Sequence, residues 1–325
     1  MIELKNISKT FKVARRNAGF REALGALFRR NYTYIQALRD ISFTIKDGEM
    51  VGYIGPNGAG KSSTIKIMSG ILYPDSGECI IDGLVPYRNR REHVRNIGVV
   101  FGQRSQLWWD VPVIDSLELL KDIYDIDERV YKNNLEELVE LLNLGEIIRT
   151  PARQLSFGQR MRCEIAASFF HNPRILFLDE PTIGLDAVSK IAVREFIKKM
   201  NREKKTTVIL TTHDMQDIEA IAERILLIGR GQILYYGSLS ELKTRNSKKK
   251  TITLEYDGSG RFSPCDGIAL VSRVDGHAVF EVDTSVVSVQ EAIKVISQYA
   301  DIKDLSVTGA SIDEIVVSLY EELKI

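Results

Sequence analysis

Residues 2–7 and 41–45 (Ile41, Phe43, Ile45) alternate apolar with polar, the period-two signature of half-buried strands. The run 50–54 (MVGYI) leads into a glycine-rich turn, after which Ile65, Met68 and Leu72 recur at helical spacing. Further strands are predicted at 97–101, 174–178, 206–211 and 224–228. Between 115 and 144 the period changes: Leu117, Leu120 and Tyr124, then Leu135, Leu138, Val139 and Leu142, mark helices. This predicts a helical subdomain over about 104–172, mounted on an α/β core. Past residue 250 the pattern restarts, with strands at 251–256, 268–274, 278–282 and 302–307 and helices at 286–299 and 311–323. Residues 243–250 (KTRNSKKK) have no apolar position to bury and are expected to be a linker. The expected domains are therefore 1–242 and a small α+β domain over 251–325.

The 325 residues are enough for two cores. Lys plus Arg (44) balances Asp plus Glu (44), so broad neutralisation of nucleic-acid phosphates is disfavoured and no nucleic-acid partner is expected. No run of about 18 apolar residues appears, and the N-terminus lacks the apolar stretch of a signal peptide. Cys79, Cys163 and Cys265 are widely spaced and form no metal or disulfide pattern, which points to reduced thiols in the cytoplasm. Charge is uneven in one place. The insertion 12–36 holds Lys12, Arg15, Arg16, Arg21, Arg29 and Arg30 against Glu22 alone. It reads either as a solvated loop or as a short amphipathic helix, with Phe20, Leu24, Leu27 and Phe28 on one face, near an anionic membrane surface. Arg88, Arg90, Arg91 and Arg95 read as a solvated face.

The strongest chemical signal is Gly55-Pro56-Asn57-Gly58-Ala59-Gly60-Lys61-Ser62, followed by Ser63, between a predicted strand and a predicted helix. Glycines let backbone amides turn inward around phosphate oxygens, and the helix offers its positive end. Lys61 is placed to reach the β- and γ-phosphates and Ser62 to ligate Mg²⁺. At 174–180 a predicted buried strand ends in Asp179-Glu180. An acid there holds magnesium in P-loop folds; Asp179 fits that role, and Glu180 fits the acceptor for the attacking water. Together they predict binding and hydrolysis of a nucleoside triphosphate.

Leu155-Ser156-Phe157-Gly158-Gln159-Arg160 resembles the LSGGQ signature of the ATP-binding cassette (ABC) ATPases, with Phe157 in place of a glycine. The resemblance covers about 230 residues. Gln103 resembles the Q-loop glutamine, Gly184-Leu185-Asp186 the D-loop and His213 the switch histidine. Phe11 sits where the family carries its adenine-stacking aromatic, with Tyr32 or Tyr34 as substitutes. The resemblance implies an α/β P-loop NTPase core with an inserted helical subdomain and a small C-terminal α+β domain. It implies ATP and Mg²⁺ as cofactors, with Glu180, His213 and Gln103 catalytic and Ser62, Gln103 and Asp179 at the metal. Phe11, residues 55–63 (among them Pro56, Asn57, Ala59 and Ser63), Ser156, Gly158, Gln159 and Asp186 would contact nucleotide. A second copy would complete a head-to-tail ATP sandwich. An integral membrane permease would be contacted around Gln103–Asp110, beside Trp108 and Trp109, placing the chain on the cytoplasmic face of the membrane. The segments 102–120 and 302–323 resemble export-type, daunorubicin-resistance-like ATPases. The alternative is an ABC ATPase that moves no solute: a mechanical cell-envelope ATPase, or a translation or DNA-repair factor.

Overall fold

The computed structural model describes residues 1–14, 32–102, 105–245, 249–257, 265–309 and 311–322. They divide into two compact units, Met1–Gly237 and Ser238–Ile325.

The first unit opens with an antiparallel hairpin, β1 (Ile2–Ala14) and β2 (Tyr32–Ile45), in which Ile2 faces Ile45 and Ala14 faces Tyr32. Residues 12–14 and 32–36 of the expected insertion are thus paired strand, because ladder hydrogen bonds continue through them. Residues 15–31, with the expected helical face Phe20, Leu24, Leu27 and Phe28, lie outside the described residues. After β3 (Met50–Ile54) and helix α1 (Lys61–Met68), β4 (Ser76–Ile81) joins β1 to complete a three-stranded sheet. Then come α2 (Arg90–Asn96) and β5 (Ile97–Phe101). Arg88, Arg90, Arg91 and Arg95 are exposed.

Helices α3 (Val113–Tyr124), α4 (Glu128–Leu141) and α5 (Phe157–Phe169) form the inserted block. Asp127 caps α4 by accepting from the amides of Arg129 and Val130. The chain then returns to β6 (Ile175–Asp179), α6 (Ala187–Lys204), β7 (Thr207–Thr211), α7 (Met215–Ile221), β8 (Arg224–Gly229) and β9 (Gln232–Ser238). The second sheet runs β5-β6-β7-β3-β8-β9, and neighbours from β5 to β8 are parallel. Its central strands are buried almost throughout, as expected where both faces are covered. Ile2, Leu4, Ile7, Ile41, Tyr53, Ile65, Phe177 and Ile209 share one core that joins the two sheets.

The second unit begins with α8 (Leu239–Arg245), whose start is capped by Ser238 Oγ, an acceptor from the amides of Ser240 (3.1 Å) and Glu241 (3.4 Å). Of the expected linker at 243–250, residues 246–248 lie outside the described residues and the flanking ones belong to regular elements. Residues 243–245 continue a helix that buries Leu239 and Leu242, and 249–250 already belong to β10 (Lys249–Asp257). β11 (Ile268–Val274), β12 (His277–Asp283), α9 (Val289–Ile296), β13 (Asp301–Gly309) and α10 (Ile312–Glu322) follow. The strands form an antiparallel sheet ordered β11-β12-β10-β13, and α9 supplies Ala292 and Ile296 to its core.

Candidate functional site

The site is made by register. Strand β7 lies between β3 and β6, and Thr211 pairs with Tyr53 on one side and Asp179 on the other. Three parallel strands therefore end together, and the segments that leave them meet at one edge, where α/β sheets place their ligands. A cleft of about 800 Å³ opens there, with Lys61, Ser62, Asp179, Glu180 and His213 in its lining.

The glycines of the first segment have geometric reasons. Gly58 and Gly60 adopt φ of 81° and 115°, a left-handed backbone that disfavours other residues. A Cβ on Gly60 would lie 2.6 Å from Leu38 Cδ2 and 2.7 Å from the Ala37 carbonyl oxygen, so β2 crosses tightly over this turn. The first intrahelical bond of α1 runs from Thr64 N to Gly60 O (2.9 Å), which leaves the amides of Lys61, Ser62 and Ser63 at the positive end of the helix. Tyr53 OH meets Thr64 Oγ1 (3.0 Å) and fixes the helix on its strand. Lys61 is largely buried, and its Nζ donates to the carbonyls of Gly55 (2.5 Å) and Pro56 (3.3 Å). Burial lowers its pKa below the ordinary lysine value; the carboxylates of Glu180 and Asp179 oppose that shift. A lysine held charged in a glycine cradle, facing two acids, is suited to a polyanion.

The acids are held differently. Asp179 Oδ1 accepts from Thr211 Oγ1 (2.5 Å). Glu180 turns out of the strand with φ of 57°, anchored by its amide on Thr211 O (2.9 Å). Left-handed backbone at a residue other than glycine is strain that concentrates at functional sites. Its Oε2 accepts from His213 Nδ1 at 2.6 Å. Asp217, fully buried, ties the loops together by accepting from Arg194 Nε (2.6 Å), Thr182 Oγ1 and Thr212 Oγ1 (3.4 Å). Asp214 accepts from Lys190 Nζ (2.5 Å), clamping the histidine loop to α6. Nothing in the linear pattern marks Asp217 or Arg194, because their partners are distant in sequence.

Ser156 caps α5, accepting from Gln159 N (3.2 Å), while Gln159 Oε1 accepts from Ser156 N (2.9 Å). The Gln159 side chain, read from sequence as a nucleotide contact, is thus occupied in a capping box. Asp186 likewise caps α6 through Ser189 N (2.8 Å), and that bond holds its carboxyl below the usual carboxylate range. Phe157 lines the cleft, and its ring covers Gly184, where a Cβ would come within 3.0 Å. The bulky residue in the signature is thereby matched by a glycine in the segment opposite. Phe11 pairs with Ile35 on the hairpin and is not among the described residues lining the cleft, whereas Ala37 is. Gln103 lies outside the described residues. Trp108 and Trp109 are half exposed. Missed by the sequence reading was Glu164, a buried acid on α5 that holds the segment 105–107.

A profile of the ABC transporter family matches residues 38–183. The ABC transporter ATP-binding protein NatA of Bacillus subtilis is 32% identical over 208 residues, 64% of this chain and 84% of that protein. The linearmycin resistance ATP-binding protein LnrL of the same organism is 33% identical over 221 residues, 68% of this chain and 70% of its own length. Among solved structures, a dimeric ATP-binding cassette bound to ADP and Pi matches with a TM-score of 0.62 at 28% identity. That match covers 74% of this chain and 99% of the other. With the glycine cradle, the paired acids and the capped signature helix on one parallel sheet, this chain belongs to the family of ABC transporter ATP-binding proteins.

Proposed function

We propose that this chain is the ATP-hydrolysing subunit that powers export of a solute through a separate membrane subunit. The observation that carries the reading is the meeting of Lys61, Asp179, Glu180 and His213 on one cleft at the ends of three parallel strands. The amides of residues 58–63 and the Lys61 ammonium bind the β- and γ-phosphates. Glu180 accepts a hydrogen bond from the attacking water and orients it. His213, already bonded to Glu180, holds that carboxylate in place and faces the γ-phosphate. Among the described residues no cluster of three or more His, Cys, Asp or Glu would hold a metal alone. That suits Mg²⁺, which is usually held by one or two protein groups together with substrate phosphates. Ser62, Gln103 and Asp179 would hold it, and the Thr211 bond already orients Asp179. Bound there, Mg²⁺ supplies neutralisation of phosphate charge.

Ser156 and Gly158 contact the nucleotide of a second copy in a head-to-tail dimer, and the Gln159 side chain supports Ser156 through the capping box rather than touching the nucleotide. The membrane subunit docks around Gln103–Asp110, where the half-exposed Trp108 and Trp109 offer apolar area at the inner face of the membrane. Among the described residues no helix is long and apolar enough to cross a membrane. Export rests on the resemblance of segments 102–120 and 302–323 and fits relatives named for linearmycin resistance, LnrL, and for multidrug transport, the probable multidrug ABC transporter ATP-binding protein YbhF of Escherichia coli, 34% identical over 209 residues. Import is favoured by a relative of similar identity, the methionine import ATP-binding protein MetN 2 of Enterococcus faecalis, 34% over 212 residues.

The test is purification from membranes followed by reconstitution. Mg²⁺-dependent ATPase activity, a copurifying integral membrane protein and ATP-driven movement of solute away from the ATP-exposed side are expected. Movement toward that side would replace export by import, and copurification with ribosomes or DNA would replace transport altogether.

A further inference from the structure

Glu164 sits on α5, eight residues after the Ser156 cap, and is 6% exposed. A buried carboxylate without partners is costly, so its bonds reveal what it is for. One oxygen accepts from Ser105 Oγ and the other from the amide of Gln106 (3.0 Å), while Gln106 Nε2 donates to the Glu164 carbonyl (2.9 Å). Burial raises its pKa, and those donors oppose the shift. Ser105 Oγ in turn accepts from the amide of Leu107 (3.1 Å). Three consecutive residues are therefore fastened to one point of the helix that carries the signature.

The same stretch is tied at both ends. Upstream, the amide of Gly102 donates to Asp179 O (3.0 Å), at the strand that carries the paired acids. Downstream, the amide of Trp108 donates to the buried Ser116 Oγ (3.1 Å). The guanidinium of Arg160 lies 5.3 Å from the Trp109 ring centre and 5.4 Å from that of Phe157, which lines the cleft. The signature helix thus holds residues 105–107 through Glu164, and through Arg160 it touches both Trp109 and Phe157 at the cleft.

We propose that Glu164 is a positioning residue for ATP turnover: it locks residues 105–107 to the signature helix, so that a shift of α5 on nucleotide binding moves Trp108 and Trp109 with it. The proposal rests on the nucleotide site described above and adds to it a residue that touches no nucleotide. The chain contains only two tryptophans, Trp108 and Trp109, so emission excited where tyrosine does not absorb reports on this segment alone.

The experiment uses the full chain and MgATP, with steady-state turnover, binding of a fluorescent ATP analogue and tryptophan emission measured on each variant. Wild type should change its tryptophan emission when MgATP is added. Glu164→Ala should bind the analogue like wild type, lower kcat about tenfold with little change in KM, and lose the emission change. Glu164→Gln should restore most of both. Its Oε1 still accepts from Gln106, and its Nε2 donates to Ser105 Oγ, whose own proton can turn to the Leu107 carbonyl 3.2 Å away. Should Glu164→Ala melt early, Ser105→Ala, at an exposed position, carries the same test, with a smaller kcat loss and a weakened emission change. Wild-type kcat and emission change in Glu164→Ala would overturn the proposal, as would a wild type that turns over ATP without any emission change. Failure of wild type itself to bind MgATP would instead overturn the reading of the cleft, and this inference with it.

Discussion

In the six-stranded sheet of the first unit, strands β3, β6 and β7 are buried almost throughout; in the four-stranded sheet of the second, β10 and β12 alternate buried with more exposed positions. The first arrangement leaves polar chemistry only the strand ends, and because the strands are parallel those ends coincide. Lys61, Asp179, Glu180 and His213 are brought together that way. The second spreads its polar residues, Thr253 and Glu255 among them, along an open face, where the strands run in opposite directions and nothing is gathered. The two sheets thus place their polar residues differently because one is covered on both faces and the other leaves a face open.

If that contrast is correct, the largest effect should come from a residue at the gathered ends. Lys61→Ala should reduce ATP turnover by about a thousandfold while circular dichroism and Tm stay close to wild type, since the ammonium serves the cleft rather than a core. Turnover near the wild-type rate would break the comparison at its strongest point.

Glu180→Gln keeps shape and removes charge. Turnover should fall about a hundredfold or more with ATP binding retained, and size-exclusion chromatography with Mg²⁺ and ATP should show a longer-lived dimer. Were this variant to hydrolyse ATP normally, the orienting role would pass to His213, its partner at 2.6 Å.

The counterpart lies in the second sheet. Phe280→Ala, at a position 3% exposed in the core of that unit, should destabilise its unfolding transition by about 3–5 kcal/mol. ATP turnover per folded cassette should not change. A matching loss of turnover would show that the second unit contributes to the cleft's chemistry.

The smallest effect sharpens the comparison from inside the first unit. His171 stacks on Tyr124 (centroids 4.0 Å apart) and bonds to the Ile97 carbonyl, and burial pushes its pKa down to about 4. The unfolded chain takes up this proton near pH 6.5, whereas the folded chain does not until about pH 4. Stability from this group is therefore complete above pH 6.5 and is lost as pH falls toward 4, by about 3 kcal/mol at most. Comparing the pH dependence of Tm in wild type and His171→Gln measures it. Identical slopes between pH 6.5 and 4 would mean that His171 titrates normally.

Much of this was legible in the chain. β3, β5 and β11 coincide with the runs 50–54, 97–101 and 268–274, because continuous or alternating apolar residues bounded by turns have few other ways to be buried. The phosphate cradle was legible because its glycines answer to a local backbone requirement, φ of 81° and 115°, that composition alone betrays. Less legible was α6, whose polar face outweighs its buried Val193, Phe196, Ile197 and Met200, and the start of the second unit, where a basic stretch hides a helix.

By itself, then, the sequence determined many of the strands, the inserted helices, the cradle and the two acids, since each depends on neighbours within a few residues. Only the tertiary structure decided that Thr211 stands between Tyr53 and Asp179 and that Phe157 rests on Gly184. It alone paired Glu164 with Ser105 and Asp217 with Arg194. Those contacts join residues 23 to 158 positions apart, and a side chain's partner across such a distance is set by sheet register and helix packing, which no local pattern encodes.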